Sequence, residues 1–67
     1  MDRLNLKFFR MQQHLTQQEM ADKLKISKSH YVSIENGTGN PSVQILERFG
    51  KVFDYDDVWT LFKKGAN

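Results

Sequence analysis

An all-α fold, a compact domain of five short helices, is what this sequence predicts, and three observations carry the prediction. Apolar residues recur at helical spacing in five stretches of the chain. Thr16, Ser27 and Ser42, residue types that cap helix starts, stand just before three of those stretches, and Asn36-Gly37 and Asn40-Pro41 interrupt them. Sixty-seven residues leave room for one domain with a small core, because a chain this short buries roughly 60% of its unfolded surface.

The first helix is expected over about residues 3–13. At about 100° per residue it carries two apolar stripes rather than one, Leu4/Phe8/Met11 and Leu6/Phe9, with Gln13 continuing the second. Arg10 lies beside the Leu6/Phe9 stripe. The other stripe either packs inside the monomer, against the aromatic end of the chain, or forms a contact surface, and internal packing is the favoured expectation.

Thr16 and Glu19 form a T-x-x-E capping box that opens a second helix over residues 17–24. Met20, Ala21 and Leu24 make its narrow apolar face, and Ala21 is small where a steeply crossing helix needs space. Ser27 caps a third helix over about 28–36. There Tyr31 and Ile34 face Ala21 and Leu24, which leaves Lys28, Ser29, Val32, Ser33 and Asn36 outside. Gly37 ends it, since glycine takes the left-handed conformation cheaply. Two short helices joined by so tight a turn, over about 16–37, make a helix-turn-helix unit.

Ser42 caps a fourth helix, about 43–52, with Ile45, Leu46, Phe49 and Phe53 as its core stripe. A fifth is expected over about 57–64, with Asp54 or Asp56 at its start and Lys63 and Lys64 at its end, as the helix dipole favours. Tyr55, Val58, Trp59, Leu61 and Phe62 make this last segment aromatic, and the chain frays from Gly65.

Composition narrows the function classes. Hydrophobic content of 39% with five Phe supports a packed core, and the lack of Cys removes disulfides and thiolate metal sites. No long apolar run suggests a signal peptide or membrane span, so a cytoplasmic protein is expected. The net charge of +2 is uneven: residues 1–33 hold six Lys/Arg against three Asp/Glu, and residues 34–67 hold four against five. Lys23, Lys25 and Lys28 cluster in the basic half. Such asymmetry fits one surface facing an anion and equally fits a solvated face. His14 and His30 are isolated from any nucleophile or carboxylate at a catalytic spacing. Asp54-Tyr55-Asp56-Asp57 lacks the glycine and distal glutamate of a calcium loop. No enzyme, cofactor, metal or small-molecule effector is therefore expected.

The run L-T-Q-x-E-M-A-x-K-L (Leu15–Leu24), then I-S-K-S (Ile26–Ser29), I-E-N-G (Ile34–Gly37) and N-P-S (Asn40–Ser42), resembles the phage repressor/Cro (XRE-type) helix-turn-helix family. The likeness runs from about Leu6 to Phe53. It implies a lambda-repressor-like five-helix domain spanning residues 1–67, which binds double-stranded operator DNA as a homodimer and represses transcription in a bacterium or phage. It further implies base contacts from Ser27, Lys28, Ser29 and Ser33 of the third helix, and the exposed methyls of Val32 beside them suit a thymine methyl. It also implies phosphate contacts from Gln17, Asn36, Thr38 and Asn40 and a buried ion pair of Arg10 with Glu35; Thr16 and the basic Lys25, at the two ends of the second helix, are expected at phosphates beside them. His14 and Lys25 depart from the family, standing where relatives often carry Gly. A positive φ at Lys25 would cost roughly 1 kcal/mol. Tyr55, Trp59 and Phe62 are candidates for a dimer interface. A second reading is a protein-interaction module, or a DNA-binding antitoxin or anti-repressor partner, using the last helix and the Leu4/Phe8/Met11 stripe.

Overall fold

Among the described residues, four of the five helices begin at a side chain that accepts a hydrogen bond from the first turn, so the architecture is punctuated by local chemistry. The computed structural model describes residues 1–64; the fraying expected from Gly65 lies outside them. Its elements are α1 (Leu4–Gln12), α2 (Gln17–Leu24), α3 (Lys28–Asn36), α4 (Val43–Phe53) and α5 (Val58–Leu61). Thr16 Oγ1 accepts from Glu19 N at 3.1 Å, and Glu19 Oε1 accepts from Thr16 N at 2.8 Å, completing the capping box. That backbone bond from Thr16 holds the Glu19 carboxyl below the usual carboxylate range. Ser27, Ser42 and Asp57 accept from His30 N, Ile45 N and Thr60 N. Each serine cap stabilises its helix by about 1 kcal/mol.

Three helix ends use left-handed residues that are not glycine: His14 (φ 59°), Lys25 (φ 59°) and Asp54 (φ 51°). The strain expected at Lys25 is present. Arg48 of α4 offsets it by donating from Nη1 to the Leu24 carbonyl at 2.8 Å, one of the orphan acceptors at the end of α2. Asp54 does not start the last helix; it ends α4, and Asp57 caps α5 instead. A short polar side chain tolerates the left-handed region.

The core gathers Leu6 from α1, Met20, Ala21 and Leu24 from α2, and Tyr31 and Ile34 from α3. Ile45, Leu46 and Phe49 of α4 join them, with Val58, Leu61 and Phe62 at the end of the chain. Phe49 is the hub of an aromatic group, its ring 5.1 Å from Phe62, 5.3 Å from Phe9 and 4.7 Å from Phe53.

Two expectations fail at this end of the molecule. The last helix is a single turn, not residues 57–64. It stops where the Phe62 carbonyl accepts from Arg3 Nε at 2.7 Å. Phe62 is 5% exposed and edge-on to Phe49, so it belongs to the core and has no surface to offer a partner. Conversely, the Leu4/Phe8/Met11 stripe of α1 is not covered inside the monomer. Phe8 and Met11 are each 53% exposed and Trp59 is 69% exposed. One turn buries one face only, and Val58, Leu61 and Phe62 already occupy it.

Candidate nucleic-acid interface

The outer face of α3 is set by what anchors its inner face. Tyr31 and Ile34 are fully buried, and Glu35 follows them inward as an ionised carboxylate. Its oxygens accept from Arg10 Nε (2.8 Å) and Nη2 (3.2 Å), from the Tyr31 hydroxyl (2.6 Å) and from Gln17 Nε2 (3.2 Å). Burial pushes the Glu35 carboxyl up, but the hydrogen bonds from Arg10, Tyr31 and Gln17 outweigh it and hold the group below the usual carboxylate range. The bond to Glu35 raises Arg10 in turn. Burial, then the bond to Glu35, pushes the Tyr31 phenol far up, so it stays a neutral donor. Arg10 Nη1 also donates to the Leu15 carbonyl at 2.7 Å. One carboxylate thus ties α1, the start of α2 and α3 together, which fixes the rotation of α3 about its own axis.

With that rotation fixed, Lys28, Ser29, Val32, Ser33 and Asn36 line one shallow groove on the outside of the molecule. Lys28, Ser29 and Asn36 are exposed, while Val32 and Ser33 are half-buried. Ser27, at the same end of α3, accepts from His30 N at 3.1 Å and keeps its hydroxyl proton for an external acceptor. Ser33 differs, because its hydroxyl donates to the His30 carbonyl at 2.7 Å and can then only accept from outside. The loop after α3 lies close against it: a Cβ on Gly39 would come within 2.4 Å of Ser33 Oγ.

Three amide side chains at the rim have their orientation dictated by partner chemistry. Asn36 Oδ1 accepts from Thr38 N (3.1 Å) and Thr38 Oγ1 (2.8 Å), which leaves its NH₂ group outward. Asn40 Oδ1 accepts from Arg3 Nη2 at 3.2 Å. Gln17 must present Nε2 to Glu35, since a carboxylate only accepts, so one of its two amide protons is already engaged. Thr16 and Lys25 are exposed at the two ends of α2. The groove, its rim and the two ends of α2 therefore offer mostly N–H, O–H and ammonium donors, the complement of an acceptor-rich anionic surface.

A family model described as helix-turn-helix matches residues 6–59. The chain belongs to the XRE-type helix-turn-helix family. Among relatives, the HTH-type transcriptional regulator YqaF of Bacillus subtilis is 39% identical over 57 residues, covering 85% of this chain and 72% of its own length. The HTH-type transcriptional regulator YqaE of the same organism is 42% identical over 50 residues, 75% of this chain and 43% of its own. The HTH-type transcriptional regulator MJ0272 of Methanocaldococcus jannaschii is 35% identical over 48 residues, 72% of this chain and 73% of its own. No solved structure matches the chain significantly. In this helix-turn-helix unit, α2 and α3 are the two helices and Lys25 sits in the turn between them.

Two residues near the helix-turn-helix rim escaped the sequence reading. Lys7 lines a polar notch with Asp2, Gln17, Glu35 and Asn36. Arg3 is 4% exposed and reaches across the molecule to residues 31 to 59 positions away. Neither has a local signal, because an isolated cation on a first helix reads as surface charge.

Proposed function

We propose that this chain is a transcriptional regulator, most simply a repressor, that binds double-stranded DNA as a homodimer in a bacterial or phage-infected cytoplasm. The observation that carries the reading is the groove formed by Lys28, Ser29, Val32, Ser33 and Asn36 on the outer face of α3. An α-helix fits the major groove, where Lys28 pairs with guanine or a phosphate and Val32 meets a thymine methyl. Ser27 and Ser29 are short hydroxyl donors of broad base tolerance. Around them Thr16, Gln17, Lys25, Asn36, Thr38 and Asn40 would hold phosphates and set register. The relatives named as transcriptional regulators support the regulatory role.

Selection of bound sequences from a random duplex pool tests this directly. Two related half-sites about 34 Å apart are expected from a symmetric dimer. If each subunit neutralises about three phosphates, log affinity should fall with log salt at a slope near −5. Affinity that ignores salt and sequence would overturn the reading. Lys28→Ala separates two roles: selective loss at one base pair marks base readout, and uniform loss with a shallower slope marks a phosphate contact.

The exposed Phe8, Met11 and Trp59 favour the dimer and also the second reading, a protein-interaction surface. Tyr55 and Trp59 are interface candidates, whereas Phe62 is buried in the core. Trp59→Ala should abolish the dimer with the fold retained; an unchanged dimer removes α5 from the interface.

A further inference from the structure

Arg3 is the most heavily bonded cation among the described residues, and it has no carboxylate partner there. Its Nε donates to the Phe62 carbonyl at 2.7 Å. Nη1 donates to the carbonyls of Ile34 (2.6 Å) and Gly39 (2.8 Å), and Nη2 to Asn40 Oδ1 (3.2 Å). The Arg3 backbone N–H donates to the Glu35 carbonyl at 2.8 Å. Four of the five donors of the fork meet neutral acceptors, and two of those acceptors belong to the loop after α3.

These bonds dictate what the loop turns outward. Every described peptide bond is trans, and across a trans peptide the carbonyl and the following N–H point in opposite directions. With the Gly39 carbonyl aimed at Arg3, the Asn40 N–H points away from the guanidinium and from the core beneath it. A guanidinium only donates, so the end of the Asn40 amide that faces it must be Oδ1. The Nδ2 group is then the outward end of an exposed side chain. Arg3 absorbs the acceptors of Gly39 and Asn40 and leaves donors facing out. Phosphate oxygens accept only, so this is the polarity a DNA backbone requires.

We infer that Arg3 is a positioning residue for DNA binding: buried beneath the Gly39–Asn40 loop, it orients the backbone and side-chain N–H groups of Asn40 toward a phosphate. The inference rests on the DNA-binding reading above. Lysine cannot substitute, because one ammonium lacks the planar fork that reaches the Gly39 carbonyl and Asn40 Oδ1 together.

A double-mutant cycle between Arg3→Met and Asn40→Ala tests it. Binding is titrated on a duplex from the random-pool selection and on a scrambled duplex, at a temperature where circular dichroism shows every variant folded. Asn40→Ala should weaken binding about tenfold on both duplexes, as loss of a hydrogen bond to a charged group implies. Arg3→Met should lose at least as much, because it also frees the Asn40 backbone N–H, and the double variant should lose little more than Arg3→Met alone. Additive losses would assign Arg3 a structural role only and overturn the inference, as would Arg3→Met or Asn40→Ala binding like the unsubstituted chain. If Arg3→Met fails to fold, Arg3→Lys takes its place in the same cycle under the same criterion. Failure of the unsubstituted chain to bind any duplex removes the DNA reading and the inference with it. Binding with an additive cycle removes the inference alone.

Discussion

Arg10 and Arg3 both leave the first helical segment for the C-terminal half of α3, yet they hold it by different physics. Arg10 meets a carboxylate, Glu35, in a pair whose side chains are 12% and 6% exposed. Arg3 meets carbonyls and an amide, all neutral. Burial accordingly pulls the Arg3 guanidinium down, while the bond to Glu35 pushes Arg10 up. A buried ion pair couples two charges, so removing one strands the other. A buried arginine among carbonyls is a fastener, and removing it leaves several smaller losses. The first arrangement orients a helix face, and the second joins three segments distant in the chain.

The largest expected effect separates them at once. Arg10→Met leaves the Glu35 carboxylate buried without its cation and should destabilise the domain by about 3 kcal/mol or more, read as a lower Tm. An unaltered Tm would show that the pair contributes nothing. Arg3→Met strands no charge but frees the carbonyls of Ile34 and Phe62 in the interior, for an expected loss of about 2 kcal/mol. Tyr31→Phe, which deletes the 2.6 Å bond to Glu35, should cost about 1.5 kcal/mol.

Acid sharpens the contrast further. The folded state holds the Glu35 carboxyl below its unfolded value, so its stabilisation is complete above the unfolded carboxylate range and is lost as pH falls through the folded value. In Arg10→Met, burial dominates and the carboxyl rises instead. The deficit of that variant against the unsubstituted chain should therefore be greatest at neutral pH and shrink toward pH ~4, where carboxylates protonate. Arg3→Met should show a deficit that is flat from neutral pH to pH ~4, because its acceptors do not titrate. Parallel Tm-against-pH curves for the two variants would dissolve the distinction. The smallest effect is expected from Gln17→Leu, which removes a 3.2 Å bond to Glu35 that Arg10 and Tyr31 already back up; about 0.5 kcal/mol should be lost.

Short-range interactions are legible in the sequence and long-range ones are not. The Thr16–Glu19 box and the Ser27 and Ser42 caps follow from interactions within four residues, and they stand where the residue types put them, whereas the left-handed turn at Lys25 was legible only through the resemblance to the family. The outward set on α3 follows from Tyr31 and Ile34 turning inward, a matter of helical period. Arg10 and Glu35 were legible through the resemblance to the family, since nothing local pairs residues 25 positions apart. The last segment was misread because its aromatic residues satisfy a helical period longer than the helix. Phe62 then went inward to Phe49, and Trp59 stayed outside.

The chain alone therefore settles where α2, α3 and α4 start and stop, which face of each is apolar, and that α2 and α3 form a helix-turn-helix unit. These depend on short-range capping and on the periodicity of 3.6 residues per turn. Three-dimensional packing settles which of two apolar stripes on α1 is buried, how far α5 extends, and what a buried Arg3 does to a loop at positions 39 and 40. Those outcomes depend on competition for limited core surface and on donors meeting acceptors up to 59 residues away, which no local pattern encodes.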